Sequence, residues 1–191
     1  MQNFNSDLIN KEIVSNNFYA NYNISTNIKF GWFTQYFYTT QSDSNTRNLL
    51  FTSLYYNFLS KPVLKGGINY QYIAFKNQVP TDYFSPKKFN AVEIFADFLK
   101  DENAAEVKSI FYNVNAATGF QFIEDGDKQW TYRIQAKFGY KLSDRLLANV
   151  YGLRSNIASA TAAGFTYNEF GFRLKWLLSS KPVFKTKKTE E

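Results

Sequence analysis

The stretch QWTYRIQAKFGYKL, from Gln129 to Leu142, alternates strictly between two kinds of side chain. Side chains of a β-strand point to opposite faces with a period of two residues, so the stretch predicts a strand with two unlike faces. The apolar and aromatic face consists of Trp130, Tyr132, Ile134, Ala136, Phe138, Tyr140 and Leu142. The polar face consists of Thr131, Arg133, Gln135, Lys137, Gly139 and Lys141. Strands of soluble proteins usually have about 5–6 residues, whereas a tilted membrane-spanning strand needs about 9–11. A long two-faced strand of this kind is typical of an outer-membrane β-barrel.

The same alternation recurs along the chain and predicts about nine strands. It is clear in Leu64–Phe75, Ala91–Phe98, Ser109–Phe122 and Asn168–Leu178. It is weaker in Asn17–Ile24, Ile28–Tyr38 and Leu49–Phe58. Leu147–Ser155 is ambiguous, because Leu147, Tyr151 and Leu153 compete with Ala148 and Val150 for the outer face.

Composition agrees with a membrane barrel. Aromatic residues make up 19% of the 191 residues, and such residues favour strands and flank the apolar band of outer-membrane barrels. The mean hydropathy is −0.39, and the sequence has no apolar run of about 18 residues that would form a transmembrane helix. A barrel wall has a polar mean hydropathy when half of each strand faces a polar interior, so the low value does not argue against a membrane location.

The missing residue types exclude several kinds of site. The sequence has no cysteine and no histidine, which excludes disulfides, thiolate chemistry, Ser–His–Asp triads and histidine-ligated zinc. We therefore predict no enzymatic activity, no cofactor and no metal. The net charge is +6, but the basic residues alternate along strands or fall in the tail, so we predict no binding of nucleic acid.

The connections between the predicted strands alternate in length. Short ones are Asn23–Asn27, Ser60–Pro62 and Leu142–Asp144, and Lys100–Ala105 is of medium length. Longer ones are Thr40–Thr46, Asn77–Lys88, Glu124–Lys128 and Asn156–Ala163. Outer-membrane barrels have short periplasmic turns and longer external loops, so this alternation favours a membrane barrel over a soluble lipocalin-like barrel, which buries its apolar face inside.

The strand count predicts that the barrel is incomplete. Single-chain bacterial barrels have an even number of strands, and both chain ends usually lie in the periplasm. Here the first predicted strand starts outside and the last one ends in the periplasm, which indicates an odd number of strands. The sequence also shows no basic start followed by an apolar core, the mark of a signal peptide. The predicted fold is therefore all-β: an antiparallel up-and-down transmembrane β-barrel, of which this chain is a C-terminal portion. Residues 1–16 are predicted to be a leading loop or the remnant of an upstream strand, residues 17–178 the barrel strands, and residues 179–191 a basic disordered tail.

Two segments resemble a known family. The motif Tyr83-Phe84-Ser85-Pro86 lies between two predicted strands, and Ala163–Tyr167 leads into a strand that contains Gly171–Trp176. Both segments resemble the C-terminal barrel of cellulose synthase operon protein C and related exopolysaccharide exporters. The resemblance implies an outer-membrane protein of a Gram-negative bacterium, embedded in outer-membrane lipid, that exports a polysaccharide chain and is joined to a periplasmic tetratricopeptide-repeat region. This chain departs from that family's pattern in lacking the repeats, the export signal and roughly half of the expected barrel.

The Tyr83–Pro86 motif has two interpretations. Pro86 fixes its own φ angle and restricts Ser85 to an extended conformation, which favours anchoring of the long loop on the barrel mouth. The alternative is direct contact with a sugar chain. The anchoring interpretation is the preferred one.

The polar faces supply the candidate functional residues. The side chains predicted to line the lumen are Glu93, Phe95, Asp97, Arg133, Lys137, Lys141, Glu169, Arg173 and Lys175. Further aromatic residues on these faces are Phe33, Phe51, Tyr55 and Phe111; such rings stack on sugars or simply fill a narrow barrel. The leading functional hypothesis is a passive outer-membrane pore for a polysaccharide. The alternatives are a structural or adhesion barrel without transport and, less favoured by the residue types, a membrane-embedded enzyme.

Overall fold

The computed structural model describes residues 13–25, 29–79, 84–103, 105–157 and 166–178. In this part of the chain the protein is all-β and forms one antiparallel sheet of nine strands. The strands are β1 (Ser15–Ser25), β2 (Phe30–Gln41), β3 (Thr46–Ser60), β4 (Val63–Phe75), β5 (Phe89–Lys100), β6 (Ser109–Ile123), β7 (Gln129–Lys141), β8 (Leu146–Ser155) and β9 (Tyr167–Trp176). None of these residues forms a helix long and apolar enough to cross a membrane.

Each strand pairs with the next strand in sequence, so the sheet is an up-and-down meander in the order β1 to β9. The predicted number of strands is therefore confirmed, and the strands contain between 10 and 15 residues. Strand bounds differ from the predicted ones by a few residues. The first strand already begins at Ser15, which pairs with Gln41, and the last ends at Trp176.

The register divides the strand residues into two faces. Residues aligned with Ile134 form the outer face, and residues aligned with its neighbour Gln135 form the inner face. In each clearly alternating strand, the residues predicted for the apolar face lie on the outer face, and those predicted for the polar face lie on the inner face. The register also assigns the two faces of β8, which the sequence left ambiguous. Leu147 lies on the inner face and is 8% exposed, whereas Val150 lies on the outer face and is 44% exposed.

The sheet is curved toward its inner face. A flat single layer would expose both faces, yet Phe89 and Phe111 on the inner face are 0% and 1% exposed. Two inner-face glycines lie at tight bends, since a Cβ added at Gly67 would clash with the backbone of β3 and one at Gly119 with that of β5. Only glycine permits so close an approach of neighbouring backbones.

Aromatic rings cover three further glycines on the inner face. In each case the ring comes from the residue paired with the glycine on the neighbouring strand, and it occupies the space where a Cβ would lie. The three pairs are Gly31 with Tyr55, Gly139 with Phe111 and Gly171 with Tyr151. Aromatic rings packed over strand glycines help to fix the register of a curved sheet.

Connections at one end of the sheet pack into it near β4 and β5. Ile73, Phe75, Phe89 and Ala91 form an apolar cluster, against which Phe84 and Ile157 pack from the adjoining loops. At the opposite end, the connection 101–108 folds inward, and its Ala105 packs on Phe111 and Leu147. The inner face is thus covered at both ends by residues of its own loops.

Connection lengths contrast less than the sequence predicted. The end of the sheet that carries the connections 76–88 and 156–166 also carries the connection between β2 and β3. This connection is a turn of four residues, 42–45, because β2 extends to Gln41 and β3 begins at Thr46. Ser44 has a positive φ of 65°, and the Asp43 carboxylate accepts a hydrogen bond from the backbone N–H of Asn45 at 3.0 Å. This tight turn corrects the prediction of a long connection over Thr40–Thr46. At the other end the connection predicted to be of medium length, Lys100–Ala105, extends over eight residues, 101–108.

The two outermost strands remain at the edges of the sheet. Eight ladders join neighbouring strands, and among the described residues none joins β1 to β9. Because the strands alternate in direction, β1 and β9 run the same way. β1 starts at the end that carries the long connections, and β9 finishes at the opposite end.

Candidate functional site on the inner face

The two faces differ sharply in charge. Of the twelve charged residues in the described strands, two lie on the outer face, and both stand near strand ends: Lys100 and Arg154. The other ten lie on the inner face: Arg47, Lys65, Glu93, Asp97, Arg133, Lys137, Lys141, Glu169, Arg173 and Lys175. All nine side chains predicted to line a lumen, including Phe95, therefore share one face.

The middle of the inner face is held by two ion pairs. Lys65 Nζ lies 3.0 Å from a carboxylate oxygen of Asp97, which also accepts a hydrogen bond from Asn115. Arg133 Nη2 lies 3.6 Å from a carboxylate oxygen of Glu93, whose side chain is only 5% exposed. A buried carboxylate needs a partner of this kind because burial disfavours its charge. These pairs give the central inner face little net charge.

Two atoms of the second pair have no hydrogen-bond partner in the part of the chain that the structure describes. They are Oε1 of Glu93 and Nε of Arg133, and the buried hydroxyl of Thr131 beside them is likewise unpartnered. Buried polar groups are normally hydrogen-bonded to protein or to water. The arrangement therefore leaves both donors and acceptors for a polar solute or for water in the middle of the inner face.

The inner face of β1–β3 is mostly uncharged and combines amides with aromatic rings. Tyr19 lies over Phe37 with ring centroids 4.6 Å apart, and its hydroxyl accepts hydrogen bonds from Asn21 at 2.7 Å and Gln35 at 3.3 Å. Phe33 and Phe51, 6.2 Å apart, continue the aromatic surface. Amides donate and accept hydrogen bonds, and flat rings pack on the apolar faces of sugar rings, so this region suits a neutral polar polymer.

The inner face of β7–β9 is basic and contains one acidic contact that sequence reasoning missed. Glu102, in the connection between β5 and β6, lies 3.2 Å from Lys137 Nζ and 3.5 Å from Lys175 Nζ. Lys141 Nζ donates to the carbonyl of Ala105 in the same connection at 3.0 Å. The connection is thus fastened to both β7 and β9. The only sequence signal was indirect: a surplus of bases on these two strands.

Glu102 has a lowered pKa. Partial burial opposes ionisation of this carboxyl, but the hydrogen bonds and charges of Lys137 and Lys175 outweigh burial and hold the pKa of Glu102 below its usual 4.5. A group whose pKa is lower in the folded state stabilises the fold at pH values above its unfolded pKa. That contribution disappears as the pH falls through the folded value.

We expect the native chain to be more stable than the Glu102→Gln variant, by an amount that depends on pH. The difference in the free energy of unfolding should be constant from neutral pH to about 4.5 and should shrink below that value, because protonation removes the charge that both lysines contact. Urea titrations of both proteins over this range measure the difference. A difference that does not change with pH would contradict the ion pairs of Glu102.

The remaining predicted residues are placed as follows. Arg173 lies over the ring of Tyr151, 5.7 Å from its centroid, and Glu169 accepts a hydrogen bond from the hydroxyl of Tyr167 at 3.0 Å. Among the described residues no cluster of three acidic, histidine or cysteine side chains is placed to hold a metal ion.

The described part of the loop motif is packed against the sheet. Tyr83 lies outside the described residues, whereas Ser85 and Pro86 are buried and Phe84 lies edge-on to Phe89 at 6.0 Å. Ser85 Oγ accepts a hydrogen bond from the N–H of Val79 at 2.6 Å. Pro86 O accepts one from the N–H of Phe75 at 3.1 Å. These contacts support the anchoring interpretation of the motif.

Comparisons with protein-family models, with the sequences of known proteins and with solved structures gave no match to this chain. The proposals that follow therefore rest on the geometry and chemistry described above.

Proposed function

We propose that the nine strands form part of the wall of an outer-membrane β-barrel whose interior passes a polysaccharide. The membrane part of the proposal rests on the apolar character of the exposed outer face. It is apolar and exposed along the middle of the strands, with Ile94 at 62% and Phe172 at 66% exposure. Large contiguous apolar surfaces of this kind mark contact with lipid or with another protein.

On β6 and β7, aromatic residues flank the apolar middle of the outer face at both strand ends. On β7, Trp130 and Tyr132 stand at one end and Phe138 and Tyr140 at the other, with Ile134 between them. Neighbouring β6 repeats the pattern. Two aromatic bands around an aliphatic middle are typical of transmembrane barrels, whose aromatic side chains lie at both membrane interfaces.

The few outer-face charges fit the same orientation. Arg154 Nε donates to the hydroxyl of Tyr132 at 3.2 Å, within one of the aromatic bands. Lys100 is the final residue of β5. Both positions allow the charged group to reach the headgroup region while the stem stays on apolar surface.

A membrane location requires partners for both edges of the sheet. Unpaired backbone groups of β1 and β9 would each cost several kcal/mol in hydrocarbon, so we propose that further strands complete the wall. Since β1 and β9 run in the same direction, a direct seam between them would be parallel. An odd number of added strands would instead keep every pair antiparallel, the arrangement of bacterial single-chain barrels.

The polysaccharide is proposed from the inner face of β1–β3. Its amides, tyrosine hydroxyl and flat rings have the chemistry that recognises sugar hydroxyls and ring faces, and Arg47 is its one charged residue among those described. A lumen lined in this way interacts weakly and repeatedly with a neutral polymer, which suits passage better than tight binding.

A second function is favoured by a different observation. The connection 101–108 and residues 84–86 both pack against the inner face, and most inner charges are paired. A lumen filled in this way would belong to a structural or adhesion barrel without transport. Conductance of the reconstituted protein in planar bilayers separates the two functions: a stable open conductance supports the pore, and its absence supports the filled barrel.

If a path exists, its charges should set ion selectivity. Replacing Lys137 and Arg173 together with glutamate should shift the reversal potential toward cation selectivity, because charges lining a pore determine the local potential. Lys100→Glu is the matched control, since it reverses a charge on the outer face and should leave selectivity unchanged. An unchanged reversal potential in the double variant would contradict a path along β7–β9.

A further inference from the structure

The basic part of the inner face has a surplus of cations around a single carboxylate. Lys137 and Lys141 on β7 and Arg173 and Lys175 on β9 flank the central strand β8. Their only acidic contact among the described residues is Glu102, which pairs with Lys137 and Lys175. Arg173 forms no ion pair with any residue that the structure describes. Two of the four cations thus share the Glu102 carboxylate, and the other two, Lys141 and Arg173, have no carboxylate partner among the described residues.

A buried polar side chain without partners lies at the centre of this group. Asn149 is 3% exposed, and neither its amide nitrogen nor its carbonyl oxygen has a hydrogen-bond partner among the described residues. It is paired with Gly139 on one side and Arg173 on the other. An unsatisfied buried amide costs roughly 1–3 kcal/mol, so in a folded protein such a group normally hydrogen-bonds to protein, to water or to a bound solute.

The chemistry of the group identifies what would bind. Ammonium and guanidinium groups form strong charge-assisted hydrogen bonds to carboxylate and phosphate oxygens, and the Asn149 amide adds a neutral donor. The pairing of Glu102 with Lys137 and Lys175 shows that a carboxylate fits beside these bases. Glu102 reaches them from a connection outside the strands, so it can leave them without any strand moving.

We propose that the inner face of β7–β9 is a binding site for a carboxylate or phosphate group, centred on Asn149 and Arg173, with Glu102 as its resident competitor. A solute anion engages Arg173 and Asn149 and takes Lys175 and Lys137 from Glu102. The connection 101–108 then loses one of its fastenings to β7 and its fastening to β9. The site depends only on the folded inner face, so it stands apart from transport.

Binding of two probes to the folded protein in detergent tests the site: inorganic phosphate and glucuronate, each followed by isothermal titration calorimetry. Glucose is the uncharged control for glucuronate and should not bind at this site. Removing the competitor by Glu102→Gln should tighten binding of the anions by about tenfold, the scale of one charge-assisted contact. Arg173→Gln and Asn149→Leu should each weaken binding by about tenfold or more.

Matched controls distinguish binding at this site from attraction of anions by the overall charge of the inner face. Asp97→Asn removes one negative charge from the inner face outside the site, and Lys65→Gln removes one positive charge there. Both should leave the affinity within about twofold of the native value, since screened charges at that distance contribute little. Circular dichroism establishes that each variant keeps its β-structure.

Two results would overturn the proposal. One is that neither probe binds to native protein or to Glu102→Gln. The other is that Asp97→Asn tightens binding as much as Glu102→Gln, which would show that only total charge matters. Binding of one probe but not the other supports the site and assigns its preference between phosphate and carboxylate. A protein that binds anions but never conducts would retain this site and lose only the transport proposal.

Discussion

Replacing Ile94 with arginine is expected to lower the free energy of unfolding in a lipid bilayer by about 2–4 kcal/mol. Ile94 lies in the middle of β5 on the outer face and is 62% exposed. Its register neighbours are Ile68 and Thr118, so no charged side chain stands beside it. A charge at this position would have to enter the hydrocarbon, which is the origin of the cost.

The same substitution distinguishes lipid from water. On a soluble protein an exposed position such as Ile94 tolerates arginine within about 0.5 kcal/mol. Gln135→Arg is the inner-face control, and it should cost little because that face is already polar. Urea titrations of the protein folded into lipid vesicles measure both changes. Equal small costs at Ile94 and Gln135 would be incompatible with a lipid-facing outer surface.

Replacing Arg133 with leucine is expected to cost about 3 kcal/mol, near the lower end of the range for breaking a buried ion pair. The loss arises because the Glu93 carboxyl group, 5% exposed, is left buried without its partner, whereas Arg133 itself is 31% exposed. Unfolding titrations report the change.

A second substitution identifies the cause of that loss. Adding Glu93→Gln to Arg133→Leu should recover most of the stability, since no buried carboxyl group is then left without its cation. Lys65→Leu, which breaks the more exposed pair with Asp97, should cost about 1 kcal/mol or less. If the double variant were as unstable as Arg133→Leu, the loss would come from the packing of the arginine stem, and the ion pair would not be its cause.

The faces of the sheet could be predicted from the sequence because they depend on local alternation. A period of two residues assigns Trp130 and Ile134 to one face and Arg133 and Lys137 to the other without any long-range information. The number of strands follows from the same pattern. Strand ends were less certain, because the turn at 42–45 is set by the backbone conformation of Ser44 rather than by composition alone.

The contents of the inner face could not be predicted in the same way. Glu102 stands in a connection, and nothing in its local sequence indicates that the connection folds inward to meet Lys137 and Lys175. The packing of Leu147 against Ala105 of that connection has the same origin. Both depend on contacts between residues far apart in sequence, which alternation does not encode.

The contact of the outer face with lipid is tested most directly by quenching of a fluorescent probe placed on either of two consecutive residues of one strand, which face opposite ways. The native chain has no cysteine, so Ile134→Cys and Gln135→Cys each provide a single labelling site for a small fluorophore. In vesicles that contain lipids brominated on their acyl chains, we predict strong quenching of the label at 134 and little at 135. Equal quenching at the two positions, or none at 134, would contradict a membrane-spanning sheet.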